Sequence, residues 1–331
     1  MIWVSWRRQR AQLITLLGVL LVGAAAVVLL RSNMIGAIES LQLTGCVAQT
    51  GPECADADAA DRFRAAWTNP LHLGQAAILL LPALIGVFLG APLFARELEQ
   101  GTHVLAFTQS VSRTRWMVSK LVVALVPAVV VLIALQHLVS WWLSAAGVLG
   151  PRNSGSFHFL NFGVEHVSPV AYAVFAFALG TFVGAVSRRT LVAMTAGLGV
   201  FTVARFALSD LVGHLVPPQR VEAALGEDLK VYQDGSLVTG RGWLDTSGRV
   251  VPDDRADALN LACKRSVTEA GTAKSQEEYL ACLPESGLAT TYADFVPESL
   301  AWQVHLVDAA IFGGLAVLLL VGTALVLRRQ S

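Results

Sequence analysis

The sequence predicts an all-α, polytopic membrane protein with six transmembrane helices, and three observations support this prediction. Hydrophobic residues make up 54% of the 331 residues, whereas charged residues make up 15%. Basic residues are unevenly distributed between the apolar runs. Six runs are long enough to cross a bilayer, since a span needs about 20 apolar residues. These runs are Gln12–Leu30, Gln75–Ala95, Leu121–Ala146, Val167–Val186, Leu191–Gly213 and Ala309–Leu327.

The charged residues between these runs orient the chain. With a cytoplasmic N-terminus, the cytoplasmic segments hold only two acids, Glu97 and Glu99, beside eleven basic residues. These are Arg7, Arg8, Arg10, Arg96, Arg113, Arg115, Lys120, Arg188, Arg189, Arg328 and Arg329. Because basic residues concentrate on the cytoplasmic side, both termini are predicted to be cytoplasmic, in a multi-pass protein of the cell membrane. We expect the chain to have the lipid bilayer as a partner and not to bind nucleic acid.

The first run is predicted to be a span rather than a cleaved signal peptide, because it exceeds the roughly 7–15 apolar residues of a signal peptide. The preceding residues Met1–Gln12 form either an amphipathic interfacial helix or a simple positive flank. The residues that follow, Arg31–Gly74, are expected to form an outer loop.

The second and fourth runs contain small residues at helical spacing. Gly86 and Gly90 are four residues apart in the second, and Gly180 and Gly184 in the fourth. This spacing permits close helix contact. We expect both pairs to pack within one subunit rather than between subunits.

Two polar residues within the runs are candidates for a substrate path. His137 is expected about one turn below the aromatic residues that end the third run. One interpretation is that His137 senses protons or contacts substrate, and the other is that it is a hydrogen-bonded interfacial histidine. Arg205, in the fifth run, is a functional candidate because intramembrane charges are rare. Alternatively, it reaches towards the membrane surface beside Asp210.

The sequence predicts three parts: residues 1–213 with five spans, an extracellular insertion at 214–303, and residues 304–331 with the last span. The insertion is expected to contain short strands within Val231–Val251 and helices at Asp254–Arg265 and Ser275–Leu283. All four cysteines, Cys46, Cys54, Cys263 and Cys282, fall on the predicted outer side, where disulfides form. Three pairings are possible. We favour the local pairs 46–54 and 263–282, and we expect no metal site.

The segment 96–120 joins the second and third runs on the cytoplasmic side. Gly101 is expected to take the left-handed conformation that ends a helix, and Thr102 to cap a short helix after it. Val104, Leu105 and Phe107 give that short helix an apolar face with nothing to cover it within so small a loop. The segment is therefore predicted to act as a lever on two spans.

The same segment resembles the cytoplasmic loop of ABC transporter type 2 permeases, in their actinobacterial branch. The resemblance rests on Arg-Glu-x-Glu-x-Gly-Thr at Arg96–Thr102, on Ser112-Arg113 ten residues later, and on Lys120. It implies a coupling helix that docks on a separate ATPase. The coupling residues implied are Glu97, Glu99, Gln100, Gly101, Thr102, Val104, Leu105, Phe107, Ser112 and Arg113.

The resemblance implies that the chain is the permease subunit of an ABC exporter, which moves a hydrophobic or amphipathic substrate. It also implies that two copies pair with two ATPase subunits, which bind ATP and Mg²⁺. The sequence contains no phosphate-binding loop motif. We therefore do not expect the chain to be an enzyme or to carry a cofactor. The alternative is a non-transporting membrane sensor or immunity protein whose extracellular domain binds a ligand.

Overall fold

The structure is a computed structural model that describes residues 2–48, 57–101, 113–227, 229, 235–270 and 275–329. The chain divides into two compact units. The first comprises Met1–Asp210 and Trp302–Ser331, and the second comprises Leu211–Ala301. The second unit is called the inserted unit below.

The prediction of six membrane-spanning helices is confirmed, since six helices among the described residues are long and apolar enough to cross a bilayer. They are called the first to sixth spans. Their helical segments are Ile2–Ser40; Ala57–Ile85, Gly86–Gly90 and Pro92–Glu99 in succession; Arg113–Ser144; Ser168–Ser187; Thr190–Leu215; and Ala301–Arg329. A helix satisfies its own backbone hydrogen bonds, as the interior of a bilayer requires.

The first two spans are longer than predicted, and most of the expected outer loop is helical. The first helix continues to Ser40, and the second span begins at Ala57. Met34, Ile38 and Phe63 are buried in these extensions. The helices therefore continue past the apolar runs because their ends pack on one another, which the hydropathy pattern does not reveal.

The second span contains one turn of π-helix, Gly86–Gly90, which packs against the fourth span. A Cβ atom on Gly86 would lie 2.7 Å from the carbonyl oxygen of Ala176, and one on Gly180 would lie 2.5 Å from that of Gly86. A Cβ on Gly184 would lie 2.6 Å from the carbonyl oxygen of Ala91. The two glycine pairs thus pack on each other within one chain, which confirms the prediction.

The inserted unit corrects the all-α prediction, because it contains a four-stranded antiparallel sheet in the order β1-β4-β2-β3. The strands are β1 at Gln219–Ala224, β2 at Leu237–Leu244, β3 at Val250–Val251 and β4 at Thr290–Val296. The sequence predicted strands only in the region of β2 and β3. The two predicted helices are confirmed at Asp253–Ala270 and Ser275–Ser286.

An ion pair joins the edge strand β1 to its neighbour β4 in this sheet. The Arg220 guanidinium donates two hydrogen bonds of 2.8 Å to the Asp294 carboxylate and lies 4.2 Å from the centroid of the Tyr292 ring. The hydrogen bond from Arg220 lowers the pKa of Asp294 below its ordinary value. The pair links β1 to β4 across the register that places Arg220 opposite Asp294.

A disulfide joins Cys263 to Cys282, as predicted, and connects the two helices of the inserted unit with a Cα–Cα distance of 5.7 Å. Cys263 is buried, together with Val251, Leu283 and Leu288. Cys46 is also disulfide-bonded. The predicted pairing with Cys54 involves a position outside the described residues.

Replacing both Cys263 and Cys282 with alanine is expected to destabilise the inserted unit by about 3 kcal/mol, because the bridge closes a loop across a sequence separation of 19 and limits the unfolded chain. Thermal unfolding of the whole protein in detergent, followed by circular dichroism, measures the effect. An unchanged unfolding temperature of the strand signal would contradict this expectation.

Candidate functional site

The structure describes only part of the predicted coupling segment. Glu97, Glu99, Gln100 and Gly101 are described in full, and Arg113 by its backbone as the first residue of the third span. The remaining predicted coupling residues lie outside the described residues: Thr102, Val104, Leu105, Phe107 and Ser112.

The last helical segment of the second span ends at Glu99, and Gln100 is its C-cap. Gly101 follows with φ +68°, which confirms the predicted left-handed conformation. Glycine adopts this conformation without the steric cost that a side chain brings. The turn therefore fixes the direction in which the chain leaves the second span.

The predicted coupling residue Glu97 forms an ion pair with Lys120, near the start of the third span. The side chains of Glu97 and Lys120 are 18% and 10% exposed. The Lys120 ammonium lies 4.5 Å from the centroid of the Trp116 ring and 5.9 Å from that of Phe94. The pair is therefore largely buried, and it joins the ends of the second and third spans.

Glu99 contacts a different helix. Its Oε2 accepts a 2.9 Å hydrogen bond from the Thr190 hydroxyl and a 3.3 Å bond from the Thr190 backbone N–H. Thr190 is the first residue of the fifth span and lies two residues after Arg188, which has a left-handed backbone at φ 53°. We call Glu97, Glu99, Lys120 and Thr190 the basic-end junction, because these residues lie among the basic residues at one end of the spans.

A second group of polar side chains lies towards the other end of the fourth, fifth and sixth spans. We call Ser168, Tyr172, Arg205, His305 and Asp308 the polar cluster. All five residues are buried, and the most exposed of them, Arg205, is 7% exposed. Charged and polar groups are costly within a membrane and are retained mainly where they pair or have a function.

Side-chain contacts connect the members of the polar cluster. The Tyr172 hydroxyl donates a hydrogen bond to the Asp308 carboxylate. Ser168 Oγ and His305 Nδ1 are 2.8 Å apart. The Arg205 guanidinium lies 4.2 Å from the centroid of the Tyr172 ring and acts electrostatically on Asp308. The cluster thus links three spans through one cation, one carboxyl group and neutral donors.

Aromatic rings surround this cluster. The ring of Phe162 is stacked on that of His305 at 4.0 Å, and the His166 ring is 4.6 Å from it. Phe312 meets Tyr172 edge to face at 4.8 Å. These rings give the polar groups apolar surroundings, and a low local dielectric strengthens the interactions among them.

The predicted substrate-path residues differ in their surroundings. Arg205 is buried within the polar cluster, and the side chain of Asp210 is outside the part that the structure describes. His137 is exposed and has Nδ1 2.8 Å from the carbonyl oxygen of Ile133 on its own helix. The structure therefore does not bring His137 together with Arg205.

Sequence reasoning identified Arg205 but not the other members of the polar cluster. Ser168 and Tyr172 are one helical turn apart in the fourth span, and His305 and Asp308 are three residues apart in the sixth. Both spacings place two polar side chains on one helix face. That spacing was the available signal, although it does not show which helices meet.

Comparison with known proteins gives one match. A family model described as ABC-2 membrane transporter related matches residues 17–212. This match includes the second, third and fourth spans in full and most of the first and fifth, together with the basic-end junction. Searches of curated proteins and of solved structures found no match.

Proposed function

The chain belongs to the ABC-2 membrane transporter related family, and from this premise we propose that it is the permease subunit of an ABC exporter. Six apolar helices fit a subunit that crosses the membrane many times. In this proposal the chain binds no nucleotide. A separate ATPase chain binds ATP and Mg²⁺ and supplies the energy for transport.

The basic-end junction is the observation that carries this proposal. The helix that leads into the cytoplasmic loop ends with Glu97 bound to the third span and Glu99 bound to the fifth. A force applied to the loop therefore acts on several spans at once. This is the property that a transporter needs if a soluble ATPase is to change the arrangement of its membrane helices.

We propose further that two copies of the chain assemble with two ATPase subunits and that the substrate is hydrophobic or amphipathic. The polar cluster lies within the spans and supports a path that accommodates some polar groups of an otherwise apolar molecule. Arg205 is the residue we assign to this path. The actinobacterial resemblance of the loop sequence is part of the same proposal.

A second candidate is a membrane sensor or immunity protein that does not transport. The observation that favours it is the inserted unit, which has its own apolar core and a disulfide. Such a unit is able to bind a ligand without transport. The two candidates differ in whether an ATPase binds to the chain.

Replacing Phe107 with alanine is expected to weaken ATPase binding about tenfold, since truncating an anchor residue of an interface typically costs more than about 1 kcal/mol. The measurement is the amount of ATPase recovered when the tagged chain is purified with an ATPase encoded beside its gene. Phe88→Ala is the matched control, because Phe88 is 59% exposed on the second span. Equal recovery with Phe107→Ala and Phe88→Ala would argue against docking on this loop.

The proposed orientation predicts which positions a membrane-impermeant thiol reagent reaches. Cysteines engineered at Asp58 and Asp245 are expected to react in intact cells, and one at Thr108 is expected to react only after the cells are opened. The physical reason is the excess of basic residues in the segments assigned to the cytoplasm. Reaction at Thr108 in intact cells would contradict the six-span orientation.

A further inference from the structure

We propose that Glu99 is a positioning residue that transmits movement of the cytoplasmic loop to the fifth span, rather than a residue that docks on the ATPase. This inference rests on the proposed function, because it assigns a role within ATP-driven transport. It changes the role that the sequence motif implied for Glu99.

The contact of Glu99 uses a backbone group that the fifth span cannot satisfy by itself. The first four N–H groups of a helix have no acceptor within the helix. A side chain just before the helix usually accepts one of these bonds. Here a carboxylate from the second span accepts both the N–H and the hydroxyl hydrogen of Thr190. Its negative charge also suits the positive end of the helix dipole.

The position of Glu99 places it between the loop and this contact. It is the last residue of the second span, and only Gln100 separates it from the turn at Gly101. A displacement of the loop therefore moves the Glu99 carboxylate first. Because a helix N–H points along the helix axis, the carboxylate acts on the fifth span along its length.

The fifth span carries that displacement towards the polar cluster. Arg205 and Thr190 belong to one continuous helix, and at a rise of 1.5 Å per residue they are about 22 Å apart along its axis. Glu97 acts instead on the third span through Lys120. The contact that joins Glu99 to the helix containing Arg205 is therefore distinct from the pair of Glu97 and Lys120.

The experiment separates docking from transmission in the whole permease–ATPase complex in lipid nanodiscs. Docking is the amount of ATPase recovered with the chain. Transmission is the ATP-dependent change in emission of a bimane fluorophore attached to Val203→Cys, an exposed position on the fifth span. The variants are Glu99→Ala, Thr190→Val and the double variant, with Glu99→Gln as the conservative replacement.

Glu99→Ala is expected to leave ATPase recovery unchanged and to lower the emission change about fivefold, the factor that one net hydrogen bond provides. Thr190→Val lowers it less, because the backbone N–H remains. The double variant is expected to show the same emission change as Glu99→Ala alone, since both substitutions act on the same contact. Glu99→Gln keeps most of the signal, because its amide oxygen accepts the same bonds. Thr195→Ala is the matched control, since its hydroxyl bonds only within its own helix.

Two results would overturn this inference. One is a loss of ATPase recovery in Glu99→Ala, which would make Glu99 a docking residue. The other is a double variant whose loss equals the sum of the single losses, which would show that Glu99 and Thr190 act independently. Failure of the unmodified chain to recover any ATPase would overturn the proposed function itself and is distinguishable from both.

Discussion

Lys120→Met is expected to destabilise the protein by about 3–5 kcal/mol, the largest change in stability expected from any single substitution considered. Lys120 pairs with Glu97, and both side chains are largely buried. Removing one member of a buried ion pair leaves the other charge buried without that partner, which costs more than the pair contributes. Thermal unfolding of the purified protein, followed by tryptophan fluorescence, measures the change.

A double variant distinguishes the loss of the pair from loss of packing. Glu97→Gln combined with Lys120→Met removes both charges and is expected to recover most of the stability, because a neutral pair of similar size needs no compensation. Arg10→Met is the control, since Arg10 is exposed. An unfolding temperature of Lys120→Met equal to that of Arg10→Met would contradict the proposed importance of this pair.

Arg205→Leu is expected to reach the membrane in normal amounts but to lower ATP hydrolysis stimulated by the permease about tenfold. Insertion is preserved because arginine opposes it by about 2.5–3.5 kcal/mol, whereas leucine favours it. Activity falls because Asp308 loses the nearby positive charge and Tyr172 loses the guanidinium over its ring. The assay is hydrolysis by the reconstituted complex, normalised to the amount of each subunit.

The combination Arg205→Leu with Asp308→Asn tests what the cation does. If Arg205 serves only to balance the charge of Asp308, the double variant regains activity. If Arg205 acts on the transport path, as we propose, the double variant inserts well and remains inactive. Full activity of the single Arg205→Leu variant would remove Arg205 from the path.

The six spans could be predicted because hydrophobicity along the chain is a local property. Each predicted run lies within or nearly within one observed span, and the glycine pairs of the second and fourth spans pack within one chain, as expected. Gly101 could be predicted for the same reason, since its left-handed conformation ends a helix at that point in the chain.

Contacts between distant segments could not be predicted. Tyr172 and Asp308 are 136 residues apart, and Glu99 and Thr190 are 91 residues apart. No short pattern records such a pairing. Arg205 was identified because a charge in an apolar run is conspicuous, whereas Tyr172 fits within such a run without lowering its hydropathy enough to be noticed.

The inserted unit shows a similar limit. Strands β1 and β4 pair with each other although most of the sequence of the inserted unit lies between them, and neither was predicted. Both lie outside the regions in which the sequence predicted strands or helices. By contrast, β2 and β3 are close in sequence, and the turn that joins them contains Ser247-Gly248, a local signal.

The central claim is that ATP hydrolysis in a separate chain drives movement of this one. Its most direct measurement is the emission of bimane at Val203→Cys in nanodiscs that contain this chain and the ATPase encoded beside its gene. We predict an emission change on addition of ATP and Mg²⁺ that is absent when the ATPase carries a substitution in its phosphate-binding loop. An active ATPase that leaves the emission unchanged, or that is not recovered with the chain, would contradict the claim.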